Sequence, residues 1–291
     1  MTPTLDLARR LVAEQFPHWR ELPLTLLEPA GSDNVIYRLG EDLAVRFPNE
    51  WAAGQAAKEN LLLPRLAPHL PLAIPVPVGL GVPALGFPWH WSVSRWLTGD
   101  TATVDGLADP PTAAAELAGF LKALRGLPTD GVAPDTGDPL AERDRSTREA
   151  IAAVAGVFDS VALTEVWEDA LAAPAWAGPP VWHHGDMHNG NLLTVDGRLD
   201  AVIDFGGLGV GDPAGDLVVA WTLFEREARE VFRAALGVDD ATWTRGRGWA
   251  VSTGLNAYVA YAATRPSVAE NTTRQIGWAL SDRPRRPDAR R

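Results

Sequence analysis

The sequence predicts an α+β protein of two lobes, in which a small β-rich lobe precedes a mainly helical one. Between residue 24 and Trp96, short apolar runs bounded by turn residues are typical of an antiparallel sheet. A segment rich in Gly, Asp, Thr and Pro follows, as in a linker. Beyond it, apolar residues recur mostly at helical spacing. We therefore predict lobes at residues 1–96 and 97–291, with a ligand cleft between them.

In the first lobe, the apolar runs and turn residues predict two helices and five strands. Gly40, Glu41 and Asp42 separate two strand patterns and indicate a hairpin turn. Pro75 and Pro77 favour an edge or irregular strand, since proline cannot donate a hydrogen bond to a neighbouring strand. The predicted helices cover residues 5–16 and 51–66, and the predicted strands cover 24–27, 34–39, 43–47, 74–80 and 87–96.

In the second lobe, helical patterns cover residues 112–127 and 139–173. Two short apolar runs, 191–195 and 199–205, flank Asp196-Gly197, and this dipeptide favours a two-residue β-hairpin. The remainder is predicted to be helical, with breaks at Pro213, Gly237 and Pro266.

The composition excludes several classes of function. The 291 residues include no cysteine, which rules out disulfides, thiolate metal sites and a cysteine nucleophile. A formal net charge of -11 disfavours nucleic-acid binding. No apolar run is long enough to cross a bilayer, and the N-terminus does not resemble a signal peptide. We therefore expect a cytoplasmic monomer that binds a small molecule and neither nucleic acid nor membrane.

The densest group of polar side chains lies at residues 183–191, between two apolar runs. Asp204 follows at the end of the predicted hairpin, which returns the chain toward Asn191. Phosphoryl transfer needs a carboxylate that orients a hydroxyl and accepts its proton, and Asp186 suits that role. It also needs oxygen ligands for the Mg²⁺ of a nucleoside triphosphate, ATP or GTP, and Asn191 and Asp204 supply them.

Two other interpretations of this segment remain open at this point. A two-metal hydrolase would use several His and carboxylate ligands, but no histidine follows His188 in the chain. A polar loop that only joins a strand to a hairpin would also contain such residues. The spacing of Asp186, Asn191 and Asp204 around a hairpin favours the kinase interpretation over both.

The sequence motifs HGDMHNGN at 184–191 and IDFG at 203–206 resemble those of the aminoglycoside phosphotransferase family. The similarity extends to GDPAGDL at 211–217 and, more weakly, to residues 31–34 and 43–46. This family also includes macrolide, choline and fructosamine kinases. The resemblance implies a bilobal, protein-kinase-like fold with a small antiparallel sheet in the first lobe and a mainly helical second lobe.

The resemblance also implies individual roles. Asp186 would be the catalytic base, and Asn191 and Asp204 would be the magnesium ligands. His184 would hold the catalytic loop in shape without reacting. Asp216 would brace that loop through backbone N–H groups, which a buried carboxylate needs as donors.

The N-terminal lobe departs from the usual kinase pattern at two places. The turn at residues 31–34 is not a G-x-G-x-x-G loop, although backbone N–H groups and the Ser32 hydroxyl could still contact phosphate. Kinases usually place a lysine on the third strand, where this chain has Arg46, followed by Glu59 on the next helix. Arginine is cationic and binds phosphate in a bidentate manner, so we expect Arg46 to do the work of that lysine.

Several functions fit this set of residues. The leading hypothesis is an Mg²⁺-dependent kinase of an antibiotic hydroxyl. The alternatives are a metabolic kinase of an amino alcohol or sugar, and an inactive kinase-like binding protein. Between residues 184 and 240, acidic residues outnumber basic ones and suggest a cationic acceptor, although the charges near Glu225 alternate in sign as on a solvated helix. The acidic residues concerned are Asp212, Glu225, Glu227 and Glu230.

Overall fold

The computed structural model describes residues 3–27, 33–135 and 140–282. Ser32, which we expect to contact phosphate, lies outside these residues, as does Gly31 of the same predicted turn. Within the described residues, no helix is both long and apolar enough to cross a membrane.

The chain divides into two compact units. The first runs as far as Asp100 and takes in Leu193–Val195 and Asp200–Gly207 from later in the sequence. The second comprises Thr101–Leu192, Asp196–Leu199 and the residues from Leu208 onward. The division into lobes at residues 1–96 and 97–291 stays a prediction.

Among its described residues, the first unit contains two α-helices and a five-stranded antiparallel sheet. Its strands follow the order β1-β2-β3-β5-β4. The bounds are α1 Leu5–Gln15, β1 Leu24–Leu26, β2 Asn34–Leu39, β3 Leu43–Pro48, α2 Gln55–Leu66, β4 Pro77–Gly81 and β5 Trp91–Arg95.

The strand order explains the role of the prolines. Strand β4 lies at the edge of the sheet and its register shifts between Pro77 and Gly79, so the predicted edge strand is confirmed. Strand β3 is central and pairs with both β2 and β5. The core beneath it includes Phe47 and Trp91, whose rings stack with centroids 4.9 Å apart. Arg46, one residue before Phe47, therefore extends from a strand that is fixed on both sides.

Three predicted elements of this unit begin later than expected, and one of them is strand β4, which begins at Pro77 and not at residue 74. Helix α2 starts at Gln55 and not at residue 51, because the Asn49 side chain accepts a hydrogen bond from Ala52 N at 3.1 Å and forms a turn. Strand β5 starts at Trp91 and not at residue 87, because Ala84 and Phe87 exchange backbone hydrogen bonds in a tight turn. Local side-chain and turn hydrogen bonds thus displace the regular elements.

The second unit is mainly helical. Its helices are α3 Pro110–Arg125, α4 Asp144–Ala153, α5 Ser160–Ala172, α6 Val219–Thr222, α7 Arg226–Leu236, α8 Asp240–Tyr261 and α9 Pro266–Ser281. The region predicted as one helix at 139–173 forms α4 and α5 instead. The break contains Gly156 in the left-handed region, and Asp159 then caps α5 by accepting from Ala162 N at 3.0 Å.

The remaining strands form two small sheets. They are β6 Asp100–Thr101, β7 Val181–His183, β8 Leu192–Val195, β9 Arg198–Val202 and β10 Gly209–Gly211. Strands β8 and β9 form the predicted hairpin, with Asp196 and Gly197 both at positive φ, and the sheet order is β6-β8-β9. Strand β10, which the sequence analysis did not predict, pairs with β7. Strands β7 and β8 thus flank the segment that holds Asp186 and Asn191.

Candidate active site

Arg46 lies between two carboxylates in the first unit. Its Nη1 donates to both carboxylate oxygens of Glu59 on α2, at 2.9 and 3.1 Å. Its Nη2 donates to Asp204 Oδ1 at 3.1 Å. The Glu59 side chain is only 4% exposed and that of Arg46 11%, whereas that of Asp204 is 41% exposed. Arg46, Glu59 and Asp204 therefore form one ionic cluster, open on the side of Asp204.

The electrostatics of this cluster follow from one cation shared by two carboxylates. Burial acts to lower the pKa of Arg46, but Glu59 and Asp204 outweigh it and raise that pKa, so the guanidinium stays charged. Burial raises the pKa of Glu59, Arg46 opposes this, and the nearby Asp204 adds to the increase. With all three groups ionised, the cluster carries a net negative charge that attracts cations.

Asp204 adopts an uncommon backbone conformation. Its φ is 63°, in the left-handed region that few residues other than glycine occupy. Aspartate tolerates this region better than most residues, and such strain often marks functional positions. Lys58, the lysine beside Glu59, donates from Nζ to Gly206 O at 2.7 Å and so binds the backbone of the same segment.

In the second unit, Asp216 fixes the backbone that precedes Asp186. Asp216 is fully buried, and its two oxygens accept hydrogen bonds from His184 N and Gly185 N, each at 2.9 Å. His184 is also fully buried, and its Nδ1 accepts from Asp186 N at 3.3 Å. These contacts join the 3₁₀ turn Pro213–Val218 to the loop between β7 and β8.

Asn191 fixes the other side of that loop. Its Nδ2 donates to the backbone oxygen of Asp186 at 2.8 Å and to Asp186 Oδ2 at 3.1 Å. Because the amide nitrogen is used in this way, Asn191 Oδ1 is available as an oxygen ligand. Partial burial acts to raise the pKa of Asp186, but His188, His184 and Asn191 together lower it below its ordinary value. Asp186 is therefore ionised at neutral pH and able to accept a hydrogen bond.

A cavity of about 1030 Å³ lies within the second unit, and Asp186 is part of its wall. Much of the wall is apolar. Exposed carboxylates of Asp105, Asp135 and Glu270 also line it. The apolar side chains include those of Leu140, Leu171, Trp176, Met187, Trp249 and Val268.

Most of the acidic residues that suggested a cationic acceptor do not line this cavity. Glu225, Glu227 and Glu230 do not line the cavity, because α7 buries its apolar face and exposes these residues to solvent. Asp212 does line it, but Arg245 neutralises its charge through contacts of 2.8 and 3.1 Å.

Three residues in or beside this site had no role in the sequence-based predictions. His188 and Gly190 lie in the loop between β7 and β8, and their contact depends on the conformation of that loop, which the sequence alone does not give. Asp135, whose Oδ2 is 2.6 Å from His183 Nε2, comes from a segment far away in sequence. No spacing rule connects Asp135 to the motif that contains His183.

Comparison with known proteins gives consistent results. The model of the APH family, described as the phosphotransferase enzyme family, matches residues 25–249. An aminoglycoside 3′-phosphotransferase of Escherichia coli is 37% identical over 79 residues. That match covers 26% of this chain and only 29% of the length of that relative.

Solved structures show the same fold. The GDP and kanamycin complex of APH(2″)-IIIa has a TM-score of 0.74 at 22% identity, covering 95% of this chain and 99% of that one. The macrolide 2′-phosphotransferase MphH of Brachybacterium faecium has a TM-score of 0.62 at 24% identity, covering 97% and 99%. The ternary complex of streptomycin, ATP and APH(2″)-IIa has a TM-score of 0.60 at 16% identity, covering 95% and 97%.

These comparisons confirm the resemblance noted in the sequence and the predicted kinase-like α+β fold. The matched residues 25–249 make up most of the chain and include Arg46, Asp186, Asn191 and Asp204. The chain therefore belongs to the phosphotransferase enzyme family.

Proposed function

We propose that this protein transfers the γ-phosphate of ATP or GTP, as its Mg²⁺ complex, to a hydroxyl of a small-molecule antibiotic. The observation that carries the proposal is the position of Asp186. Its carboxylate is held by Asn191 and lines a cavity of about 1030 Å³. A fixed carboxylate at the wall of a large cavity can orient an acceptor hydroxyl and accept its proton.

The residues proposed as metal ligands suit magnesium. Asn191 Oδ1 and the exposed carboxylate of Asp204 are hard oxygen donors of the kind that Mg²⁺ prefers. The described residues contain no group of three or more His, Cys, Asp or Glu that could hold a metal by itself. That suits Mg²⁺ in kinases, which is held by one or two protein ligands together with the phosphates. When bound, the ion would neutralise charge that develops on the transferred phosphoryl group.

The other residues have supporting roles in this proposal. Arg46 binds the α- and β-phosphates in place of the usual lysine, and Glu59 holds it in position at 2.9 Å. Ser32, which lies outside the described residues, keeps its predicted role as a phosphate contact. His184 and Asp216 keep the catalytic loop in its active shape. Relatives solved with GDP or with ATP support a nucleotide as the phosphate donor.

The size of the cavity favours an antibiotic over a small metabolite. Sites for drug-sized ligands are about 300–1,000 Å³, and this cavity, at about 1030 Å³, is as large as the largest of them. An amino alcohol or a single sugar would leave much of it unfilled. The apolar wall and the carboxylates of Asp105, Asp135 and Glu270 suit an acceptor with both an apolar face and an amine. The structural relatives include a complex with kanamycin, a complex with streptomycin and a macrolide phosphotransferase, which supports an antibiotic as the acceptor.

The test is a panel of acceptors with ATP and GTP in the presence of Mg²⁺. An aminoglycoside, a macrolide, choline and a monosaccharide are each incubated with the enzyme, and phosphorylated product is detected by mass spectrometry. We expect turnover of an antibiotic by the wild-type enzyme, and a kcat that is lower by about 10²–10⁴-fold in the Asp186→Asn variant. Nucleotide binding by Asp186→Asn should be nearly unchanged. Preferred turnover of choline or the sugar would instead identify a metabolic kinase, and nucleotide binding without any transfer would identify a binding protein.

A further inference from the structure

His188 lies two residues after Asp186 in the catalytic loop and has no part in the proposed function so far. Its ring folds back over its own backbone, where Nδ1 accepts a hydrogen bond from Gly190 N at 3.0 Å. Asn191 N donates to the backbone oxygen of the same histidine at 3.0 Å. The His188 side chain is 38% exposed and forms part of the cavity wall.

Gly190 is required for this ring position. A β-carbon added there would lie 2.6 Å from His188 Cε1 and 2.9 Å from His188 Nδ1. Any side chain at residue 190 would therefore displace the imidazole from the backbone. In the segment His188-Asn189-Gly190, the missing side chain of the glycine thus leaves the room that the imidazole ring occupies.

The hydrogen bond from Gly190 determines which ring nitrogen carries the proton. Because Nδ1 accepts, the neutral imidazole is protonated on Nε2. That Nε2 is 3.6 Å from Asp186 Oδ2. The distance is longer than a direct hydrogen bond, but catalytic hydrogen bonds are often long before the substrate binds and shorten in the complex.

The two oxygens of Asp186 are therefore in different environments. Oδ2 accepts from Asn191 Nδ2 at 3.1 Å and faces His188 Nε2. Among the described residues, none donates a hydrogen bond to Oδ1. One oxygen is held by the protein and the other is left for a ligand.

We propose that His188 is a positioning residue that selects Oδ1 of Asp186 as the proton acceptor. This inference rests on the proposed function. The Nε2–H of His188 and the Nδ2 of Asn191 hold Oδ2, so the acceptor hydroxyl meets Oδ1. As the hydroxyl oxygen bonds to the γ-phosphorus, the bond from that phosphorus to the β–γ bridging oxygen breaks. The nucleoside diphosphate leaves, and the hydroxyl proton moves to Oδ1.

Two substitutions separate this role from a structural one. In His188→Gln, the side-chain amide can present an N–H where Nε2 was, whereas in His188→Asn an amide oxygen can replace Nδ1 as the acceptor for Gly190. We expect His188→Asn to lower kcat by about tenfold or more, with little change in the KM for nucleotide, and His188→Gln to retain most of the activity. If His188 only stabilised the loop through Gly190, the ranking would be reversed. Activity of His188→Asn equal to or above that of His188→Gln would overturn the proposal.

Two controls complete the experiment. The exposed His69 is the site of a matched change, and His69→Asn should leave kcat unaltered. In an Asp186→Asn background, His188→Asn should have little further effect, since both changes act on the same carboxylate. A full additional loss there would contradict a role through Asp186.

A measurement on the wild-type protein tests the geometry even if no acceptor is found. Nitrogen-15 NMR distinguishes a protonated from an unprotonated ring nitrogen, and His188→Gln identifies the resonances. In the neutral imidazole we expect Nε2 to be protonated and Nδ1 to be unprotonated. The opposite tautomer would refute the inference about His188, whereas failure to find an acceptor would count against the proposed function alone.

Discussion

Replacing Arg46 by methionine should destabilise the protein because Glu59 would lose its only cationic partner in the ionic cluster. Methionine fills a similar volume, so the change removes charge and hydrogen bonds more than packing. The Glu59 side chain is 4% exposed and now accepts two hydrogen bonds from Arg46. Breaking a buried ion pair by removing one partner costs about 3–5 kcal/mol. For a chain of this size that corresponds to a fall in Tm of roughly 10 °C.

The stability that Arg46→Met loses relative to wild type should increase as the pH rises. Burial and Asp204 already raise the pKa of Glu59 in the folded protein, and Arg46 opposes them. Without Arg46 the folded-state pKa rises further above the unfolded value, so the folded protein binds more protons than the unfolded chain. Stability relative to wild type then falls as pH rises through this window, from about pH 5 toward pH 8.

The assay is urea denaturation of wild type, Arg46→Met and the double variant Arg46→Met/Glu59→Gln at both ends of that pH range. We expect the double variant to regain much of the lost stability, since it buries no uncompensated carboxylate. If Arg46→Met loses less than about 1 kcal/mol at pH 8, or the same amount at both pH values, Glu59 is not a buried charge that depends on Arg46. The same variant should show a raised KM for nucleotide and a lower kcat, which Arg46→Lys restores only in part.

Two further predictions concern the other carboxylates. Asp204→Asn keeps a residue type that tolerates positive φ but removes the charge of the carboxylate. We expect it to weaken Mg·ATP binding by about tenfold or more in calorimetric titration, with metal-free ATP as the control. An unchanged titration would contradict the role of Asp204 as a metal ligand. Asp216→Asn should lower the free energy of unfolding by about 1–3 kcal/mol. The amide keeps one accepting oxygen, but its nitrogen cannot accept the second of the two hydrogen bonds that Asp216 receives from His184 N and Gly185 N. A variant as stable as wild type would show that these hydrogen bonds are dispensable.

The parts of the fold that local rules govern were predictable from the sequence. The hairpin at Asp196-Gly197 follows from a dipeptide that accepts positive φ, and both residues have it. The edge position of β4 follows from proline chemistry. The starts of α2 and β5 were predicted too early, because the Asn49 turn and the Ala84–Phe87 turn compete with regular structure through hydrogen bonds that periodicity does not register.

The candidate site also has a part that was predictable from the sequence and a part that was not. Motif spacing singled out Asp186, Asn191 and Asp204, and the family pattern drew attention to Arg46. The cavity could not be predicted, since Asp105, Asp135 and Glu270 converge on it from distant segments and share no motif. The acidic residues near Glu225 do not line the cavity, which charge counts along the chain could not show because they ignore which face of a helix is buried, and the cationic acceptor stays a prediction.

The arginine between Glu59 and Asp204 has a practical consequence for chemical labelling. Reagents that acylate amines detect nucleotide sites by modifying an unprotonated lysine near the phosphates. A guanidinium whose pKa is raised by two carboxylates stays protonated and does not react in this way. The chain has only two lysines, Lys58 and Lys122, and the Nζ of Lys58 donates to Gly206 O. A survey of kinases based on such labels would therefore find no amine to modify at the position of Arg46.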